Sequence, residues 1–120
     1  MIKLNFPDFK FNIKNKDNKP HIFDILRKKL ILLTPEEWVR QHVINFLISS
    51  NIPKNHIAVE KKIIINKMTK RFDLVVHNRN GNILLLVECK APNVKIDQKV
   101  FDQTSIYNQH LKSKYLMITN

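Results

Sequence analysis

Asp73 and the triplet Glu88-Cys89-Lys90 are the residues of this chain best suited to do chemistry, and a turn between them predicts how they meet. The single glycine, Gly81, follows Asn80 between two apolar runs. Asn-Gly is the strongest short-range signal for a two-residue hairpin turn, because both central residues need positive φ. With 80 and 81 as the turn, Val75 faces Leu86, Leu74 faces Val87 and Asp73 faces Glu88. Directly opposed side chains have Cβ atoms roughly 4.5–5.5 Å apart, and like charges there destabilise a sheet. These two acids are embedded in Leu74-Val75-Val76 and Leu84-Leu85-Leu86-Val87, so a positive species is expected between them. A hard divalent cation such as Mg2+, which takes carboxylate oxygens, suits the position.

Strand alternation extends the arrangement. Glu88 and Lys90 point to one side and Cys89 to the other, so one sheet face is expected to carry Asp73, Glu88 and Lys90 together. Two acids that hold a metal, beside an ammonium that positions water, make the chemistry of phosphodiester hydrolysis. Cys89, on the opposite face, reads as a buried apolar residue rather than a thiol nucleophile. The apolar runs around these residues predict strands covered on both faces.

Asp73 followed by Glu88-x-Lys90 resembles the PD-(D/E)xK nuclease superfamily. The longer pattern is similar to the N-terminal nuclease domain of type I restriction enzyme R subunits, over about residues 22–120. It comprises Thr34-Pro35-Glu36-Glu37-Trp38-Val39-Arg40-Gln41, Lys70-Arg71-Phe72-Asp73, Val87-Glu88-Cys89-Lys90-Ala91-Pro92 and Asp102-Gln103 to Tyr107-Asn108. Phe72 stands where the superfamily has proline. The resemblance implies a Mg2+-dependent endodeoxyribonuclease (Mn2+ substituting), with Asp73, Glu88 and the Cys89 backbone carbonyl as metal ligands and Lys90 as the catalytic lysine. It further implies a glutamate on the first helix aimed at the metal. Glu36 and Glu37 both qualify; Glu36 is preferred because it shares a helix face with Val39 and Val43, while Glu37 has a capping role. Gln103 and Tyr107, spaced i, i+4, are implied to support the site and the DNA backbone. Arg71, which the register sets opposite Lys90, is a further candidate for a phosphate.

The elements that must position these residues are legible in outline. Thr34 as N-cap, Pro35 at the first helical position and Glu37 three residues on form a capping box. Val39, Val43, Phe46 and Leu47 make the inward stripe of that helix, which fades at Ser49-Ser50-Asn51. A strand is expected from His56 to Ile65 with Ile63-Ile64-Ile65 as its apolar centre, then the hairpin 71–90, a helix over about 97–112, and a strand Tyr115–Ile118. Upstream, Phe6, Phe9, Phe11 and Ile13 alternate and read as a strand before a loose turn, the first arm of a hairpin that ends near Ile22-Phe23-Asp24, and Leu30–Leu33 makes a short strand. The expected fold class is α/β with a restriction-endonuclease-like core: a central mixed sheet flanked by helices in the order helix-strand-strand-strand-helix-strand. The core spans 34–120 and an N-terminal β extension spans 1–33, within one domain.

Composition bounds the rest. The 120 residues carry 21 Lys and Arg against 10 Asp and Glu, a net charge of +11, which favours a polyanion such as DNA, although richness in Lys, Asn and Ile also fits compositional bias. One cysteine fits a reducing, cytoplasmic compartment. No apolar run approaches a membrane span of about 20 residues. With one glycine there is no phosphate-binding loop, so no ATP site is expected in this chain. The histidines lack zinc-ligand spacing. Helicase, methyltransferase and specificity subunits of a restriction system, and a homodimer, are the partners considered beside DNA. The alternative function is a non-catalytic nucleic-acid-binding or assembly module on a nuclease-like fold.

Overall fold

The computed structural model describes residues 2–120, the side chains of Ile65 and His110 excepted. Strands β1 (Ile13–Lys16), β2 (Lys19–Asp24) and β3 (Lys29–Leu32) form an antiparallel three-stranded sheet. Helix α1 (Pro35–Ser49) follows. A second sheet contains β4 (Ile57–Ile65), β5 (Met68–His77), β6 (Ile83–Cys89) and β7 (Tyr115–Thr119), in that order. Helix α2 (Gln98–Leu111) makes the crossover from β6 to β7, so that pair is parallel while the others are antiparallel. A mixed sheet between helices is therefore present, in the expected order.

Each helix starts at a side-chain cap, the first of them the Thr34 that the sequence predicts. Thr34 Oγ1 accepts the Glu37 N–H, and Asp97 caps α2 by accepting from Val100. The sheet is covered on both faces. On one side Val39, Val43, Ile44 and Leu47 of α1 pack with Leu74, Val76, Val87 and Cys89. On the other, Phe72, Val75 and Leu86 pack with Tyr107 and Leu111 of α2. Phe46, expected inward, is 37% exposed because Ile44 fills that part of the stripe. Ile64, expected at the apolar centre of β4, is 75% exposed, since β4 outruns the strands behind it. The side chain of Ile65 lies outside the described residues.

The register that joins Asp73 to Glu88 is as expected, by an unexpected route. Leu74 pairs with Val87, Val75 with Leu86 and Val76 with Leu85. Asn80-Gly81 is not a two-residue turn, however. Asn78 N–H donates to the Asn82 carbonyl, and within this loop only Gly81 has positive φ. The Asn78 carboxamide also accepts from the Asn80 and Asn82 N–H groups. This longer loop shifts the pairing by one, and a bulge restores it: His77 pairs with Ile83 while Val76 pairs with Leu85, leaving Leu84 as the extra residue. Turns with positive φ at both central residues do occur, at Asp17-Asn18 and Asn66-Lys67, closing β1–β2 and β4–β5.

Candidate active site

Glu88 and Lys90 leave β6 towards α2, and Cys89 is buried on the α1 side, as alternation requires. Glu88, Lys90 and Lys70 line a cleft of about 340 Å³ whose far wall is the α2 face bearing Val100, Gln103, Thr104, Ile106 and Tyr107. Gln103 and Tyr107 thus reach the cleft together, one turn apart. Lys70 is held at its mouth by the rings of Tyr107 (5.2 Å) and Phe72 (5.5 Å) and by an ion pair of 3.7 Å with Glu88 Oε1. That contact is too long for a hydrogen bond, and Glu88 Oε1 is buried with no hydrogen-bond partner. Burial and the neighbouring Asp73 carboxylate raise the Glu88 pKa, which Lys70 and Lys90 only partly offset. Burial, with Asp73 next, pushes the Cys89 thiol far up, so it is no nucleophile at neutral pH.

Asp73 does not line the cleft with the other two. Its expected face is corrected by an irregularity: Leu74 and Val76 lie under α1, whereas Phe72 packs under α2, so the alternation of β5 breaks at Asp73. Across the ladder, pairing skips from Val59–Leu74 to Lys61–Phe72, and Glu60 adopts a left-handed φ of 53°. The irregularity turns the Asp73 side chain from the expected face while the register on either side of it is unchanged. Its Oδ2 accepts the Cys89 N–H at 2.8 Å, where the β5–β6 ladder has ended, and its Oδ1 accepts from Arg40 Nη2 at 2.9 Å. The positive group beside Asp73 is a guanidinium.

Arg40 is the centre of a buried network. Its Nη1 donates to Glu37 Oε1 and Glu60 Oε1, each at 3.2 Å. Glu37 Oε2 also accepts from Gln41 Nε2 at 3.0 Å and Arg27 Nη2 at 2.9 Å. Arg27 and Gln41 then converge on Asp24, which is fully buried and also accepts the N–H groups of Leu26 and Arg27. Burial disfavours the Arg40 charge, but the carboxylates of Glu37, Asp73 and Glu60 outweigh it and hold the guanidinium protonated. Among the described residues, no group of three or more His, Cys, Asp and Glu side chains is placed to hold a metal.

The preference for Glu36 is overturned on geometry. Glu36 is exposed, and Glu37 is the acid that faces inward. It makes only half of the expected capping box, because its carboxylate is spent on Arg27, Arg40 and Gln41. Arg71 does not face Lys90 either; β6 has stopped pairing there, and Arg71 is exposed opposite Lys62 of β4. Sequence reasoning missed Arg40, Arg27, Asp24 and Glu60. A signal existed for the first: Glu37, Arg40, Gln41 and Ile44 share one helix face at i, i+3, i+4 and i+7, a polar stripe that continues an apolar one.

Among the described residues, no helix is long and apolar enough to cross a membrane. No curated protein matches the chain. Residues 35–120, which hold both helices, the whole second sheet and every residue of the cleft, match the family described as type I restriction enzyme R protein N terminus (HSDR_N), and the chain belongs to that family.

Proposed function

We propose that the cleft between β6 and α2 is the active centre of a metal-dependent endodeoxyribonuclease with a restriction-endonuclease-like PD-(D/E)xK core. The observation that carries this reading is the pairing of Glu88 and Lys90 on one wall of a cleft, with an unsatisfied buried oxygen on Glu88 and Asp73 beside it. A buried carboxylate oxygen without a donor is costly and wants a cation. The donor set fits Mg2+, which is commonly bound through one or two carboxylates and substrate phosphate rather than by an all-protein cage. Glu88 and the Cys89 carbonyl would hold it together with Asp73, which would have to exchange its present donors, Arg40 and the Cys89 N–H, for the ion, and Mn2+ would substitute. When bound, the ion supplies Lewis acidity at the phosphate and a more acidic water.

The chain's own residues do the rest. Lys90 orients the attacking water and neutralises charge developing on the phosphate. Lys70, held over Tyr107 and Phe72, adds a second positive charge at the cleft mouth, where it draws the DNA backbone. Gln103 and Tyr107 steady that backbone from the opposite wall. DNA is the substrate, and helicase, methyltransferase and specificity subunits are the partners that family membership suggests for selecting a site. A homodimer would provide paired cuts.

The test is cleavage of plasmid DNA by purified protein with Mg2+ or Mn2+. Lys90→Ala should abolish cutting and keep the wild-type circular dichroism. Undiminished cutting by Lys90→Ala removes this cleft from the chemistry.

A specific observation favours a second reading, a non-catalytic binding or assembly module. Both Asp73 oxygens are already engaged, by Arg40 and by the Cys89 N–H. Calorimetric titration with Mn2+ in the presence of a short duplex separates the two. Heat that disappears in Glu88→Gln supports the nuclease, whereas DNA binding with no metal uptake supports the module.

A further inference from the structure

Beyond Leu74–Val87, the last pair of β5 with β6, strand β5 runs on with only β4 beside it. Five more rungs, from Lys61–Phe72 to Ile65–Met68, carry this two-stranded ribbon to its turn at Asn66-Lys67. At about 3.3 Å per residue it projects roughly 16 Å. Its charge is one-sided. Lys61, Lys62, Lys67, Lys70 and Arg71 lie in it, with no Asp or Glu between Glu60 and Asp73. All of these cations but Lys70 are exposed. Near the tip, Ile64 and Met68 are 75% and 63% exposed. The base is anchored: Phe72 is fully buried, and Lys70 reaches the Glu88 of the cleft.

We propose that this ribbon is a DNA-docking arm that lies in the major groove of duplex flanking the phosphate held at the cleft. The inference rests on the DNA-cleaving reading and names how the duplex is gripped. A two-stranded ribbon fits a groove about 12 Å wide, and apolar side chains there can meet thymine methyl groups. Lys62, Lys67 and Arg71 reach phosphates on the groove walls, while Ile64 meets base edges and Met68, on the opposite face of the ribbon, packs along the sugar-phosphate wall. The same charges argue against a second copy of this chain as the occupant, because two arms would bring like charges together.

The experiment measures affinity for a short fluorescein-labelled duplex by anisotropy, without divalent metal, across a salt series. A triple variant of the arm, Lys62→Gln with Lys67→Gln and Arg71→Gln, is compared with Lys14→Gln, Lys16→Gln and Lys19→Gln together, which remove the same charge from the β1–β2 hairpin. The arm variant should lose at least about tenfold in affinity and flatten the log-salt slope by about 2–3 units, with far less change in the control. Dimethyl sulfate protection of guanine N7 beside the bound site should be present in wild type and lost in Ile64→Ser with Met68→Ser.

Equal losses from both triples would mean that charge alone binds, and wild-type binding without N7 protection would remove the groove; either overturns the arm. Wild type that cleaves DNA while the arm triple binds as tightly overturns the arm and leaves the nuclease reading standing. Wild type that neither binds nor cleaves removes both. A dimer in sedimentation that Ile64→Ser splits, with DNA affinity unchanged, would assign the tip to self-association and overturn the proposal.

Discussion

The two sides of the second sheet treat their charges differently. Under α1, Asp24, Glu37, Glu60 and Asp73 share Arg27 and Arg40, with donors from Gln41 and the backbone completing the arrangement. Under α2, Glu88 is nearly as buried, yet its best cation stands off at 3.7 Å and one oxygen has no donor. On the first side the acids are saturated, although Arg40 Nε is itself buried without a partner, and the network holds strands and helix in place; the unsaturated Glu88 keeps capacity for something not yet bound. Asp73 lies where the two meet, fastened by the first and electrostatically felt by the second.

The sharpest way to break the first side is Arg40→Met. Removing one partner of a buried ionic network leaves the other charges uncompensated, at a cost of about 3–5 kcal/mol. Urea unfolding should show that loss, and a change below about 1 kcal/mol would mean the network adds little to stability.

A smaller effect separates the sides by pH. Burial pushes the Asp24 pKa up, but hydrogen bonds from the Arg27 backbone and side chain and from Gln41 outweigh it, so the net shift is downward from the ordinary 3.8. A lowered folded pKa gives stability that is present above the unfolded value and lost as pH falls through the folded one. Glu88 has the opposite sign: its folded pKa is raised above 4.5, so its ionisation weakens the metal-free fold as pH rises through the folded value. Thermal melts of Asp24→Asn should therefore show a flattened acid limb below about pH 4. Melts of Glu88→Gln should show a gain at neutral pH of about 1 kcal/mol, the order of cost of an unsatisfied buried group. A Glu88→Gln protein less stable than wild type at pH 7 would place Glu88 with the saturated side after all.

How much of this was legible in the sequence divides along the same line. From α1 onward the elements, their order and the Asp73–Glu88 neighbourhood followed from local signals: Thr34 as a cap, apolar periodicity, alternation at Glu88-Cys89-Lys90. The strand expected over Phe6–Ile13 is irregular chain as far as Asn12. The register held because two departures cancel, the longer loop around Gly81 and the bulge at Leu84. Neither is written in local propensity. The ionic hub was not legible, because it joins residues far apart in the chain and depends on a left-handed Glu60 that no turn chemistry announces. Glu36 was preferred for want of the information that Glu37 meets Arg27, a contact ten positions away.

The surroundings of Trp38 have a practical consequence for optical work. It is the chain's only tryptophan, its indole N–H donates to the Ile2 carbonyl at 2.7 Å, and its ring lies 5.1 Å from Phe11 and 4.5 Å from His42. Two residues from Arg40 on the same helix, it faces nearly the opposite way. Intrinsic emission therefore reports on the N-terminal segment draped over α1 and should redden when that segment lifts, before the sheet opens. Occupancy of the cleft, on the far side of the sheet, should move the indole little, and only through the Pro92–Asn93 segment that shares a pocket with Trp38. A flat tryptophan signal during a metal or DNA titration is what a binding protein of this design would give, and a fluorophore meant to see the cleft belongs on α2, near Tyr107.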